Sequence, residues 1–130
     1  MAFSFFLFIT RKPTLTPAEF KKHWDTKHVE LIKSIAGEHF PITHTRHYIA
    51  RPTEQNSTWP AAVLVGSQED FTYDGIAELV FHDEQAFQTF FATVSAPEAA
   101  AKIAADEENF TVREKMKAVV KGDTSVTSRD

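Results

Sequence analysis

Cysteine is absent from this 130-residue chain. That one absence removes a disulfide framework, a zinc-thiolate site and a thiol nucleophile together. Glycine is scarce too, with four residues and no glycine-rich phosphate loop, so a nucleotide cofactor has nothing to sit in. Blocks of Lys or Arg are missing: 14 basic residues stand against 18 acidic ones, a formal charge of −4, which argues against a nucleic-acid partner. A long hydrophobic run is also lacking. The opening stretch MAFSFFLFIT has no basic flank and meets Arg11, Lys12 and Pro13 too soon to span a bilayer. It reads as a buried strand of a cytosolic (cytoplasmic) protein with no membrane partner. Chemistry is left to histidine, carboxylate, tyrosine and hydroxyl groups. Twelve phenylalanines against two tyrosines and two tryptophans provide rings that either fill a core or line a site for a flat apolar ligand.

The residue pattern predicts one domain over 1–121 followed by a polar tail over 122–130. Both faces of Phe3 to Thr10 are largely apolar, as in a strand at the middle of a sheet. Thr16, Pro17 and Glu19 spell a capping box with proline at the first helical position, and the helix they open should run to Ala36 and stop at Gly37. Strands are predicted at Thr43 to Ala50, at Ile76 to Phe81 and from Phe110 to Val120. Helices are predicted after Asp83 and over Ala96 to Ala105. The order β-α-β-β-α-β is α+β, the ferredoxin-like split βαβ arrangement with helices on one sheet face. Phe6 and Phe8 would then be exposed on the other face, and packing sheet on sheet in a homodimer covers them. The segment from Pro52 to Asp74 is long for a connection and reads as a pocket lid or dimer element.

Among the histidines, His28 shares an inward stripe with Trp24 and Leu31. It is open to two readings, a core histidine bonded to a backbone carbonyl or a general acid/base in an apolar pocket. His23 and His28 lie five residues apart, about 140° around an α-helix, so they should not share a face. Asp25 is expected to pair with Lys21 rather than to orient His28. On the second predicted strand His44, Arg46 and Tyr48 share one face, with His47 on the other. Arg46, and similarly Arg51, would suit a substrate carboxylate. No Ser-His-Asp arrangement surrounds Ser4 or Thr10, and no ligand spacing supports a metal.

Several stretches together resemble the EthD-domain family of dimeric α/β barrels: Arg11-Lys12-Pro13, Thr16-Pro17-Ala18-Glu19-Phe20, His23-Trp24-Asp25-Thr26-Lys27-His28, Tyr73-Asp74-Gly75-Ile76-Ala77-Glu78-Leu79 and Asp106-Glu107-Glu108-Asn109-Phe110. Within that family Phe40 to Tyr48 is similar to the fungal decarboxylases that act on atrochrysone carboxylic acid in emodin-type polyketide biosynthesis. The resemblance implies a cofactor-free reaction on a hydrophobic aromatic polyketide, in a pocket between sheet and helices. Dehydration or cyclisation, oxygenation to a quinone, and non-catalytic escort of a polyketide are the alternatives. The candidate catalytic residues are His28, His44 and Tyr48. The candidate substrate contacts are Arg46, Trp24, Phe6, Phe8, His47 and Tyr73.

Overall fold

In the computed structural model, which describes Met1–Asp130, the opening apolar alternation becomes β1 (Phe3–Ile9). It lies inside a four-stranded antiparallel sheet with β2 (Thr43–Tyr48), β3 (Gly75–Phe81) and β4 (Lys117–Val120), in the order β2-β3-β1-β4. The register sets Phe5 opposite Leu79, and Phe6 opposite Glu78 and Val119. Because side chains alternate across a sheet, this sorts the strand residues onto two faces. Phe3, Phe5, Leu7 and Ile9 join Ala77, Leu79 and Phe81 in the core under the helices. Phe6 and Phe8 point the other way and stay half-buried.

Thr16 caps α1 (Pro17–Lys22) through the capping box read from the sequence, its hydroxyl accepting from Glu19 N while the Glu19 carboxylate accepts from Thr16 N. The single α-helix expected over Pro17 to Ala36 is interrupted. His23–His28 forms a π-helical turn before α2 (Val29–Ala36). Gly37, at φ 56°, ends the stretch in a conformation that costs glycine little. Asp83 caps α3 (Glu84–Ser95) by accepting from Ala86 N at 2.8 Å, and Pro97 opens α4 (Pro97–Phe110). No helix is long and apolar enough to cross a membrane.

The largest departure from the sequence expectation is at the C-terminal end. The last strand begins at Lys117 rather than Phe110, because α4 continues through Asp106 and Glu107 to Phe110, whose ring is 1% exposed beneath the first helices. Between Pro52 and Asp74 there is no strand, only a 3-10 turn at Gln68–Asp70 and a bridge between Gln55 and Thr58. Arg51 organises this segment. Its Nη1 donates to Trp59 O at 2.9 Å, its Nη2 donates to Phe71 O and Tyr73 O at 2.6 and 3.0 Å, and its Nε lies 2.7 Å from Asp74 Oδ1. That guanidinium is turned to its own segment and to Asp74. Leu64 and Val65 stand almost fully in solvent at the segment's tip.

Candidate active site

Between the helix-facing side of the sheet and the helices lies a cavity of about 470 Å³. Phe5 and Leu7 form part of its floor, Phe90, Val94 and Ile103 part of its wall, and Phe91 lines it while half-exposed. Its polar lining includes His28, His44, Glu107 and Arg113. No residue of the 52–74 segment borders it.

Trp24 is 2% exposed, and its ring packs against Gly75 at the start of β3. Any Cβ at residue 75 would run into that ring, so glycine here is a packing requirement. With Trp24 fixed, the π-helical turn aims His28 inward. A turn bonded i→i+5 brings residues five apart above one another, which an α-helix does not do. His23 and His28, expected on separate faces, therefore meet at one carboxylate: His23 Nε2 is 2.9 Å from Asp106 Oδ1 and His28 Nδ1 is 2.8 Å from Asp106 Oδ2. Both imidazoles also pack on Phe110, at ring separations of 4.5 and 4.9 Å.

Burial on its own would raise the Asp106 pKa. The hydrogen bonds from His28 and then His23 outweigh it and hold the carboxyl below its usual range. An ionised Asp106 accepts from His28 Nδ1–H, which leaves Nε2 on the other side of the ring, 3.8 Å from Glu107 Oε2. His28 is thus bonded to a carboxylate instead of to the backbone carbonyl of the simpler reading.

His44 is a different kind of histidine. Arg46 Nη1 can only donate, so at 3.1 Å it makes His44 Nδ1 an acceptor and puts the ring proton on Nε2. Burial, then the charges of Arg46 and His28, lower its pKa to about 4. His44 is a neutral donor at pH 7.

Its strand neighbours are committed elsewhere. Arg46 Nε donates to Asp25 Oδ1 at 2.8 Å and the Tyr48 hydroxyl donates to the same oxygen at 2.5 Å, while Lys21 Nζ donates to Asp25 Oδ2 at 2.7 Å. Burial raises and these three bonds lower the Asp25 pKa, to about 2. Burial and then Asp25 push the Tyr48 phenol well above its ordinary range. Neither Arg46 nor Tyr48 borders the cavity.

Of the candidate residues, the structure brings together His28, His44 and Trp24 at the cavity. Phe6, Phe8 and His47 occupy the opposite face of the sheet, and Tyr73 packs edge-on to Phe8 there, with ring centroids 5.2 Å apart. Alternation is the physical reason, because Phe5 and Phe6 cannot serve the same pocket. Asp106, Glu107 and Arg113 were absent from the candidates. The available signal was the helical spacing of Ile103, Asp106, Glu107 and Phe110, which a helix closed at Ala105 cuts off.

The EthD domain family matches residues 12–114. No curated protein sequence matches the chain. Among solved structures, an EthD family protein from Bacillus halodurans is 16% identical at a TM-score of 0.55, covering 95% of this chain and 100% of that one. SnoaB, a cofactor-independent oxygenase from Streptomyces nogalater, is 12% identical at 0.51, covering 96% and 95%. A dimeric protein of ferredoxin-like fold from Bacteroides fragilis is 10% identical at 0.51, covering 92% and 94%. At these identities the likeness is one of fold.

Proposed function

This chain belongs to the EthD domain family, and from that premise we propose that it is a cofactor-independent decarboxylase of an aromatic polyketide carboxylic acid of the atrochrysone type. The observation that carries the reading is an imidazole, His28, held by a carboxylate at one nitrogen and lining a mostly apolar cavity of about 470 Å³. Decarboxylation breaks the bond between the carboxyl carbon and the ring or α-carbon, and the electron pair passes into an enolate. The enolate oxygen needs a donor and the carbon needs a proton. His44, neutral with its proton on Nε2, is the donor in this scheme. In this scheme His28 enters as the imidazolium, stabilised by Asp106 at Nδ1, gives its Nε2 proton to the carbon to become neutral, and is reprotonated from solvent. Phenylalanine walls hold the flat substrate by shape and ring contact.

The test is incubation of purified protein with such an acid while carbon dioxide and product mass are followed. Stoichiometric carbon dioxide is the expected result; unchanged acid overturns the reading. A second reading, oxygenation, is prompted by the fold shared with SnoaB, and oxygen uptake without carbon dioxide would favour it. Loss of water would point to dehydration or cyclisation on the same histidine.

The working unit in this proposal is a homodimer closed by sheet-on-sheet packing into an α/β barrel. Its support is the unpartnered apolar face bearing Phe6, Phe8 and Val119, together with the dimeric Bacteroides fragilis protein of like fold. Light scattering that returns the 14.7 kDa monomer mass at every concentration would remove it.

A further inference from the structure

Resting on the reading of the cavity as a site for an aromatic acid, we propose that Arg113 is its carboxylate subsite, and that Glu107 holds the place of the substrate carboxylate until the ligand arrives. Apart from the acid/base His28, few cations are within reach of the cavity. Arg46 is turned to Asp25 and His44, and Arg51 to the 52–74 segment, and neither borders the cavity. His44 is neutral. Arg113 is the one Arg or Lys side chain in the cavity lining.

Its position suits capture. Arg113 opens the 3-10 turn at Arg113–Lys115 between α4 and β4, and 43% of its side chain is exposed while it borders the cavity, which places it at the mouth. Only its Nε is engaged by a hydrogen bond, donating to Glu107 Oε1 at 3.0 Å. Nη1 stands 4.0 Å from Glu108 Oε1, and the terminal nitrogens make no hydrogen bond within the protein. A guanidinium binds a carboxylate best through two parallel N–H donors, and this one still has its outer edge to give.

The partner is equally suggestive. Glu107 is 13% exposed, with one carboxylate oxygen on Arg113 and the other 3.8 Å from His28 Nε2. It therefore joins the anchoring cation to the acid/base group. A ligand carboxylate that displaces Glu107 from Arg113, drawing on the free terminal nitrogens as it does so, comes to stand beside His28 as the Glu107 carboxylate now does. The subsite is a recognition element. Holding the reacting carboxylate steadies the ground state, so Arg113 should act on KM more than on kcat.

The probes are a hydroxynaphthoic acid and its methyl ester, titrated into the full-length protein by fluorescence or calorimetry. Parent protein should bind both. Arg113→Gln should weaken the acid about 10- to 100-fold and leave the ester unchanged, in keeping with the loss of a charge-assisted pair. Arg113→Lys should recover part of the acid affinity, and Glu107→Gln, by releasing Arg113, should tighten the acid and not the ester. Acid binding unaltered in Arg113→Gln overturns the subsite and leaves the cavity reading intact. Equal weakening of acid and ester means that Arg113 shapes the mouth and does not read charge, which also overturns it. Failure of the parent to bind either probe overturns the cavity reading, and the subsite with it.

Discussion

Asp106, reaching across from α4, and Asp25, on the first helical stretch itself, each gather polar partners there. Asp106 collects His23 and His28 at 2.9 and 2.8 Å. Asp25 collects Lys21, Arg46 and Tyr48 at 2.7, 2.8 and 2.5 Å. Both carboxyls are held below their ordinary range, and in both cases hydrogen bonds defeat a burial that would act the other way. What differs is what the partners have left. An imidazole bound through one nitrogen keeps the other for chemistry, and His28 brings its ring to the cavity. Lysine, arginine and a phenol held protonated have nothing to exchange at neutral pH. A depressed carboxylate therefore marks a candidate site only when its partners can still move a proton.

Substitutions can break this comparison, and they rank by expected effect. His28→Gln should lower turnover by about 10² to 10⁴-fold with a smaller effect on substrate affinity, measured on protein shown to be folded by circular dichroism. Parent-like turnover would end the acid/base assignment. Asp106→Asn keeps the shape but removes the charge that orients and supports the imidazole, so turnover should fall by about 10²-fold with an altered pH profile. A pH profile identical to the parent's would reduce Asp106 to packing. Asp25→Asn should leave turnover near parent and instead cost about 1–3 kcal/mol of stability in urea unfolding, because Arg46 and Tyr48 keep only a neutral acceptor and Lys21 meets an amide donor in place of Oδ2. If Asp25→Asn abolished activity in a stable protein, the two carboxylates would not be different in kind.

The features legible in the sequence are those written in neighbouring residues. Thr16, Pro17 and Glu19 start α1, Asp83 starts α3, and the alternation of β1 gives its two faces, because each signal spans only a few positions. Trp24 and His28 reach the cavity from positions whose spacing already points inward, and His44 from a strand face that alternation leaves open between solvent and pocket. The rest depends on contacts distant in sequence. A π-helical turn adds a residue to a helix without changing its composition, so a 3.6-residue period sets His23 and His28 apart. Asp106 lies 78 residues from His28, just beyond a helix end drawn at Ala105. Arg46 and Tyr48 share a face of β2 with His44 and are claimed by Asp25, 21 and 23 residues earlier, which no pattern within the strand announces.

Acid titration separates the two regions along a single axis. His44 is lowered from 6.5 to about 4, first by burial and then by Arg46 and His28, so the unfolded chain takes up its proton before the folded one. Stability from His44 is complete above its unfolded value and declines as pH falls from about 6.5 towards 4. Asp25 is lowered from 3.8 to about 2, and for a depressed carboxylate the contribution is present above 3.8 and lost as pH falls towards 2. The cavity side should therefore weaken first and the Asp25 brace second. Urea midpoints measured from pH 7 to pH 2 should decline in two stages. His44→Gln, which cannot charge, should flatten the upper stage and spare the lower. The gap between parent and Asp25→Asn should hold steady above pH 4 and close below it. If His44→Gln left the upper stage in place, His44 would not be the neutral donor on which the proposed chemistry depends, and the oxyanion would need another partner.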